Sequence, residues 1–414
     1  MLSQVILSKY TSLWMCMLLA LILPQLTTHA QEIQHVVVVV GDRMPNGLSR
    51  PKQLVAITQN SSTNIADVSH AKFFGEDGST LAFLTAALSE KTNEPAWHLL
   101  IIDSLKSTII ANSLITSDSS FTPEMMMTPL SRLLVVDSNI SEVCFPTFDF
   151  QHLDSFGFVN ANWKTGTAQT HQNPYDILKL SDDFVPIPMG FAISFLDKTK
   201  QTSKLTAALF NITTQGMRLV PLPDVYGKSF GFRQIIFLPT VGLIEYSQES
   251  VSYSTNAVPT TNLVNTTETP VTVVRRNVVE HVQPAFFRLT DVALSTNLVS
   301  SAAIPTSNVN SEIVVRPVDG KPCLIWGENS DPKSRFGVIS DIVIFDWNSK
   351  RELLRKSLET STSSFQPNAD GSKIYFIDLK DGKINCLDVK SQTIARFSDE
   401  PVPNPASSTI VAAY

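Results

Sequence analysis

Charge and cysteine are scarce in this sequence. Only 17% of its 414 residues are charged, and the formal net charge is −6 at pH 7. A general nucleic-acid binder carries a basic excess for the phosphates, so that class is excluded. Of four cysteines, one (Cys16) falls within the first thirty residues. Cys144, Cys323 and Cys386 remain, an odd number that cannot all pair internally. With one disulfide at most, the fold must be held by a packed core and not by a disulfide framework. The expected role of these thiols is to pack as small buried hydrophobes. Beyond the N-terminus no apolar run is long enough to cross a bilayer as a helix. Long stretches with apolar residues at i, i+3, i+4 and i+7 are also missing, which argues against a helical bundle. The brief candidates, 89–97 and 124–127, are broken by proline.

Catalytic motifs are missing too. His35, His70, His98, His152, His171 and His281 never fall at i, i+2 or i, i+4, and none neighbours a cysteine. There is no G-x-S-x-G elbow, no phosphate-cradling glycine loop and no Asp-x-Asp-x-Asp-Gly calcium loop. Met125, Met126 and Met127 suit an inner strand of the core, because a soft-metal site adds Cys or His nearby. Asp182-Asp183 and Glu245 could serve glycoside hydrolysis if two acids stood about 5–10 Å apart. Turn chemistry and an exposed strand position account for them more simply. The Arg275-Arg276 pair suits a solvated loop. The sequons at Asn60, Asn139, Asn211 and Asn265 are no more than a Ser/Thr-rich chain produces by chance. The sequence therefore assigns no catalytic residue, no metal ligand and no cofactor.

What is present begins with the N-terminus. Residues 1–10 carry one Lys and no acid, 13–26 are almost wholly apolar (LWMCMLLALILPQL), and Thr27-Thr28-His29-Ala30 offers small residues. A basic start, a short apolar core and a small-residue exit make a secretory signal peptide over 1–30. The apolar core, about 14 residues, is short for a bilayer of roughly 30 Å. Export to the periplasm or the cell exterior is the expectation, with no membrane span left after cleavage.

The rest is built for sheets. Four Asp-Gly pairs (Asp77-Gly78, Asp319-Gly320, Asp370-Gly371 and Asp381-Gly382) mark tight turns, where both central positions can take positive φ. FFGEDGSTLAFL (73–84), RPVDGKPCLIWG (316–327) and SFQPNADGSKIYFIDL (364–379) share an approach, a turn and an apolar strand. A second element follows: a strand ending in an acid or amide, a polar turn, then another strand. Aligned on that turn it recurs at Asp103, Asp149, Asn211, near Thr290, Asp346 and Asp388. The carboxylates of Asp103, Asp346 and Asp388 are expected to bond the backbone of the turn. Repeats of roughly 40–50 residues with four strands each indicate a radial array of small sheets. A Thr-, Asn- and Pro-rich insertion at about 255–277 stretches one interval.

The segment FQPNADGSKIYFIDLKDGKINCLDVKSQTI (365–394) resembles a blade of the YVTN-type and TolB-type β-propellers. Pro367, Asp370, Gly371, Ile374, Tyr375, Phe376, Ile377, Leu387, Asp388 and Ser391 match the blade pattern. The likeness is fainter over 73–110 and 313–354 and slight over 121–300. It implies a fold and no activity, since propellers host enzymes, binding modules and scaffolds alike. The expectation is an all-β protein. Residues 31–414 are expected to form a single six- or seven-bladed β-propeller of four-stranded blades. The valine run Val36–Val40 needs burial on both faces and partners on both edges. It is expected to close the ring by pairing with the C-terminal blade. The expected function is binding or scaffolding, with an unknown protein or small molecule as partner and no nucleic acid. A propeller hydrolase or lyase acting on an extracellular sugar or lactone is the alternative. The side chains lining the central channel discriminate the two.

Overall fold

Every described strand finds its partners in a small antiparallel sheet. The computed structural model describes residues 34–414 apart from the segments 44–48, 89–94, 116–129, 131, 150–154, 173–176, 188–189, 198–204, 212–215, 222–231, 239–241, 254–275, 282–284, 291–292, 296–312 and 330–337; over 172–312 and at some strand ends it describes the backbone alone. The leader at 1–30, Met125–Met127, His152, Asn265 and nearly all of the insertion lie outside the described residues. Among those residues no helix is long and apolar enough to cross a membrane.

The strands β1 (Val36–Arg43), β2 (Ser49–Ile57) and β3 (Ser62–Asp67) begin the first sheet. The second is β4 (Ala71–Asp77), β5 (Thr80–Leu88), β6 (Pro95–Asp103) and β7 (Thr108–Ile115), and the third β8 (Val135–Asp137), β9 (Glu142–Asp149), β10 (Ser155–Asn162) and β11 (Thr167–Gln172). The fourth is β12 (Ile177–Ile187), β13 (Gly190–Asp197), β14 (Leu205–Asn211) and β15 (Gly216–Pro221). The fifth comprises β16 (Phe232–Leu238), β17 (Gly242–Tyr253), β18 (Arg276–His281), β19 (Ala285–Thr290) and β20 (Ala293–Ser295). The sixth is β21 (Val314–Val318), β22 (Lys321–Glu328), β23 (Ile339–Asp346) and β24 (Arg351–Thr362), and the seventh β25 (Phe365–Pro367), β26 (Lys373–Ile377), β27 (Ile384–Asp388) and β28 (Thr393–Arg396). The last strand, β29 (Thr409–Ala413), returns to the first sheet, giving the order β29-β1-β2-β3. In the other sheets chain order equals spatial order, save that β18 pairs with β17 beside β19. First strands of neighbouring sheets lie together (β4 with β8, β12 with β16, β16 with β21, β25 with β29). All sheets fall within the unit Val36–Tyr414. This is a β-propeller.

The fifth sheet departs from the four-stranded expectation. Its long second strand pairs Leu243–Glu245 with β19 and extends to pair Gln248–Tyr253 with β18. Arg276 and Asn277, placed in the insertion on sequence grounds, are the first residues of β18.

The valine run explains itself in this frame. Val37 and Val39 pack into a core with Phe74, Leu81, Phe83, Leu100 and Ile102 of the second sheet. Val36, Val38 and Val40 pack against Tyr375, Ile377, Ile384 and Phe397 of the seventh. Successive strand residues point to opposite faces, so a strand sandwiched between two sheets must be apolar throughout. The same division holds in β5, where Leu81 and Phe83 face the first sheet and Ala82 and Leu84 the third. In β26, Ile374 and Phe376 face the sixth sheet and Tyr375 and Ile377 the first. Both edges of β1 are paired, Val38 with Val55 on one side and Ile410 on the other. Pairing of the valine strand with C-terminal residues is as expected, and only its direction differs. The C-terminal strand joins the N-terminal sheet as its first strand, and β1 does not join the C-terminal sheet.

Turns follow the sequence with two revisions. Only Asp319-Gly320 is a two-residue turn with both residues at positive φ (50° and 70°). In the second sheet Asp77 pairs with Thr80, so the central residues are Gly78 and Ser79, and Gly78 alone has positive φ (56°). Gly371 and Gly382 serve longer connections. In the second, sixth and seventh sheets the turns between third and fourth strands are closed by side chains, as expected. Asp103 Oδ1 accepts from Lys106 N–H (3.1 Å), Asp346 Oδ1 from Asn348 N–H (2.8 Å) and Asp388 Oδ1 from Ser391 N–H (2.8 Å). Asp149, however, ends the second strand of its sheet. The equivalent turn belongs to Asn162, whose Oδ1 accepts from Lys164 N–H (3.0 Å) and Thr165 N–H (3.1 Å). Thr58 does the same in the first sheet, its hydroxyl accepting from Ser61 N–H at 3.1 Å.

Two tests follow. Val38 is fully buried, and Val38→Ala should lower unfolding free energy by about 2 kcal/mol through lost methyl burial and the cavity left behind. Leu353→Ala, at an exposed position, should cost under about 0.5 kcal/mol. Urea titration reads both, and equal effects would refute the sandwiched packing of β1. The second test is pH-dependent. The Ser391 N–H, and then its hydroxyl, hold the Asp388 carboxyl below its ordinary value of 3.8. A depressed carboxyl contributes stability above the unfolded pKa and loses it as pH falls through the folded one. Asp388→Asn keeps the acceptor oxygen and removes the charge. The variant should lose less stability than the parent between pH 6 and pH 2 in urea titrations, and parallel slopes would contradict this.

Candidate functional site

The first strands of four sheets line two adjoining chambers on the inner side of the ring. Each strand runs from the narrower chamber to the wider. Phe74, Val314, Ser364–Gln366 and Thr409–Ile410 line the narrow chamber, of about 190 Å³. Further along the same strands or just past their ends, Glu76, Arg316–Pro317, Gln366–Pro367 and Ala412–Tyr414 line the wide one, of about 500 Å³. Gln366 borders both.

A polar layer separates the chambers. Arg316 Nη2 lies 2.7 Å from Glu76 Oε1, and Arg132 Nη2 lies 3.1 Å from the same oxygen. With its amide oxygen turned toward them, Gln366 accepts from Arg132 Nη2 (3.3 Å) and Arg316 Nη2 (3.2 Å). The three charged side chains are 20–28% exposed. Arg132 lies over the Phe74 ring, 5.3 Å from its centroid, and Arg316 Nη1 donates to its neighbour Val315 O at 3.0 Å. Gly75 lets the chain that follows Arg132 approach β4, because a Cβ there would stand 2.1 Å from the Leu134 carbonyl oxygen. At the far end of the wide chamber the Tyr414 hydroxyl accepts from the Ser104 hydroxyl and donates to Gly78 O at 3.4 Å. Burial pushes that phenol up to about 12, so it stays protonated at neutral pH.

The layer cannot act as a paired acid and base. Among the described residues it holds one carboxylate, and guanidinium groups do not give up a proton in proteins. What it offers is a fork of fixed donors suited to planar acceptors.

Other candidates lie elsewhere. Asp182 and Asp183, expected in a hydrated turn, belong to β12, where the pairing slips between Leu180 and Phe184. Glu245 is an interior position of β17 opposite Ile235 and Ala285. Arg275 lies outside the described residues and Arg276 opens β18. Cys144, Cys323 and Cys386 are free thiols, the first two fully buried. Burial lifts Cys323 and Cys386 to about 11, so neither is a ready thiolate at neutral pH. His70 is exposed, and burial lowers the pKa of His171. Among the described residues no three His, Cys, Asp or Glu side chains gather as a metal site. Sequence reasoning missed Glu76, Arg132, Arg316, Gln366 and Tyr414. A signal existed for three of them. Glu76, Arg316 and Gln366 each stand one to four residues before the first Asp-Gly turn of their repeats.

Removing the shared carboxylate leaves two guanidiniums facing one another. Glu76→Gln should cost about 2 kcal/mol, less than for a fully buried pair because the layer is partly solvated. Arg316→Gln added to it should cost less than the two single changes summed, a coupling that a double-mutant cycle in urea measures. Strict additivity would show that the ion pair has no energetic consequence.

No protein-family model matches the chain, and no curated protein sequence does. Solved structures of similar fold include a protein from Bacteroides fragilis named only provisionally as a 6-phosphogluconolactonase (11% identity, 91% of this chain and 98% of that one, TM-score 0.48). The β-propeller domain of the Trilobed protease from Pyrococcus furiosus is another (10% identity, 80% and 84% covered, TM-score 0.42). The Dos1 propeller is a third (9% identity, 79% and 72% covered, TM-score 0.39). At such identities the likeness concerns the fold alone.

Proposed function

We propose that this chain is an exported β-propeller that works by binding, in the periplasm or outside the cell, with the wide chamber as its ligand site. The observation that carries the reading is the composition of that chamber. Its described walls are apolar strand residues, prolines and a protonated tyrosine around Glu76, Arg316 and Gln366, with Arg132 behind them in the narrow chamber. Hydrolysis by general acid and base needs two titratable groups facing the reacting bond. Among the described residues Glu76 is ion-paired to two guanidiniums, and no second carboxylate and no histidine lines the chamber with it. A concave, mostly apolar pocket with a few converging polar groups is the usual form of a small-molecule site. Export rests on the leader at 1–30.

Two measurements test the proposal. N-terminal sequencing of protein recovered outside the cytoplasm should begin near Gln31; retention inside the cell with the leader intact would overturn export. Purified protein incubated with sugar, lactone and phosphoester panels should show no turnover above the buffer rate. Turnover that disappears in Glu76→Gln would replace binding with hydrolysis.

A further inference from the structure

The polar layer at the boundary of the two chambers is cationic, with Glu76 and Arg316 lining the wide chamber and Arg132 the narrow one. Two guanidiniums meet one carboxylate, so the described cluster carries a formal charge of +1. Both arginines spend Nη2 on the same oxygen of Glu76. A guanidinium carries five N–H donors, and Arg316 commits Nη2 to Glu76 and Gln366 and one Nη1 hydrogen to Val315 O. Among the described residues its Nε–H and second Nη1 hydrogen have no protein acceptor, and its side chain lines the wide chamber. At 22% exposure its side chain is neither sealed in the ion pair nor fully in water. The adjoining walls, Val315, Pro317, Pro367 and Ala412, are apolar. A partly desolvated fork at the end of an apolar cup rewards a ligand with a planar anionic head and an apolar body. A metal cation would meet net positive charge there, and a wholly neutral ligand would leave the excess charge uncompensated.

We infer that the wide chamber binds a small organic anion, its head on Arg316 beside Gln366 and its body along Val315, Pro317 and Pro367. This rests on the chamber being a ligand site, and the test separates the two ideas. Calorimetric titration of the mature chain would use benzoate, phenyl phosphate and the neutral isostere benzamide at low salt. At least one anionic probe should bind tenfold or more tightly than benzamide, and the stronger of the two identifies the head as carboxylate or phosphate. Arg316→Gln should remove that preference. If that variant does not fold, Ala369→Glu serves instead. Ala369 is exposed at the chamber rim, and an added negative charge there should weaken anion binding several-fold while leaving benzamide unchanged. Equal binding of benzamide and both anions, or anion binding indifferent to Arg316→Gln and Ala369→Glu, would refute the anion inference and leave the ligand site standing. Failure of all three probes to bind at millimolar concentration would refute both.

Discussion

Face-to-face apolar contact between the middle strands of neighbouring sheets is the interaction on which the rest of this structure depends. Where side chains are described, the middle strands are covered on both sides. Leu81 to Leu84, Ile342 to Phe345 and Ile374 to Ile377 are all fully buried. At roughly 25 cal/mol per Å² of apolar surface, such strands supply most of the driving force for assembly. Ladder hydrogen bonds exchange for water and add a smaller net amount. Outer strands need no such cover, and β24 and β28 alternate or expose most of their side chains. Inner strands border the chambers as well as neighbouring sheets. That border lets Glu76, Arg316 and Gln366 occupy strand positions that would be costly elsewhere.

The same division explains what was legible in the sequence. A strand buried on two faces must be a continuous apolar run, so VVVVV, LAFL and IYFI announce themselves without knowledge of the fold. Turn chemistry was legible where one residue type is required. Asp346 and Asp388 bond the backbone that follows them, because few other side chains reach it so well. It failed where the task admits substitutes. Thr58 and Asn162 close equivalent turns without a carboxylate, while Asp149 ends a second strand and mimics the pattern. The direction of ring closure was not legible, since pairing of β1 with C-terminal residues is common to either arrangement.

The chamber was illegible for a different reason. Arg316 and Glu76 are 240 residues apart and meet only because the first strands of non-adjacent sheets converge on the inner side of the ring. No contiguous motif can encode such a meeting. What the sequence carries is a position: a polar residue just ahead of a turn, in a strand that the fold then points inward. A radial array of this kind separates its two tasks cleanly, with stability between the sheets and recognition at the centre.

The seam between β1 and β29 has a consequence for how the protein is made. Gly41 N–H donates to the Ser408 hydroxyl across 367 residues of chain, and Val36 to Val39 pair with Thr409 to Ala413. Local hairpins such as β4–β5 form on the microsecond scale, whereas contacts of such separation come late, because loop closure costs entropy before it yields contact. Until β29 arrives, one edge of the five-valine strand has no partner. An open, flat, uncharged edge of this composition templates pairing with other chains. The nascent protein is therefore most prone to aggregation in the interval before its ring is complete, and the final five-residue strand, Thr409–Ala413, acts as its protective cover.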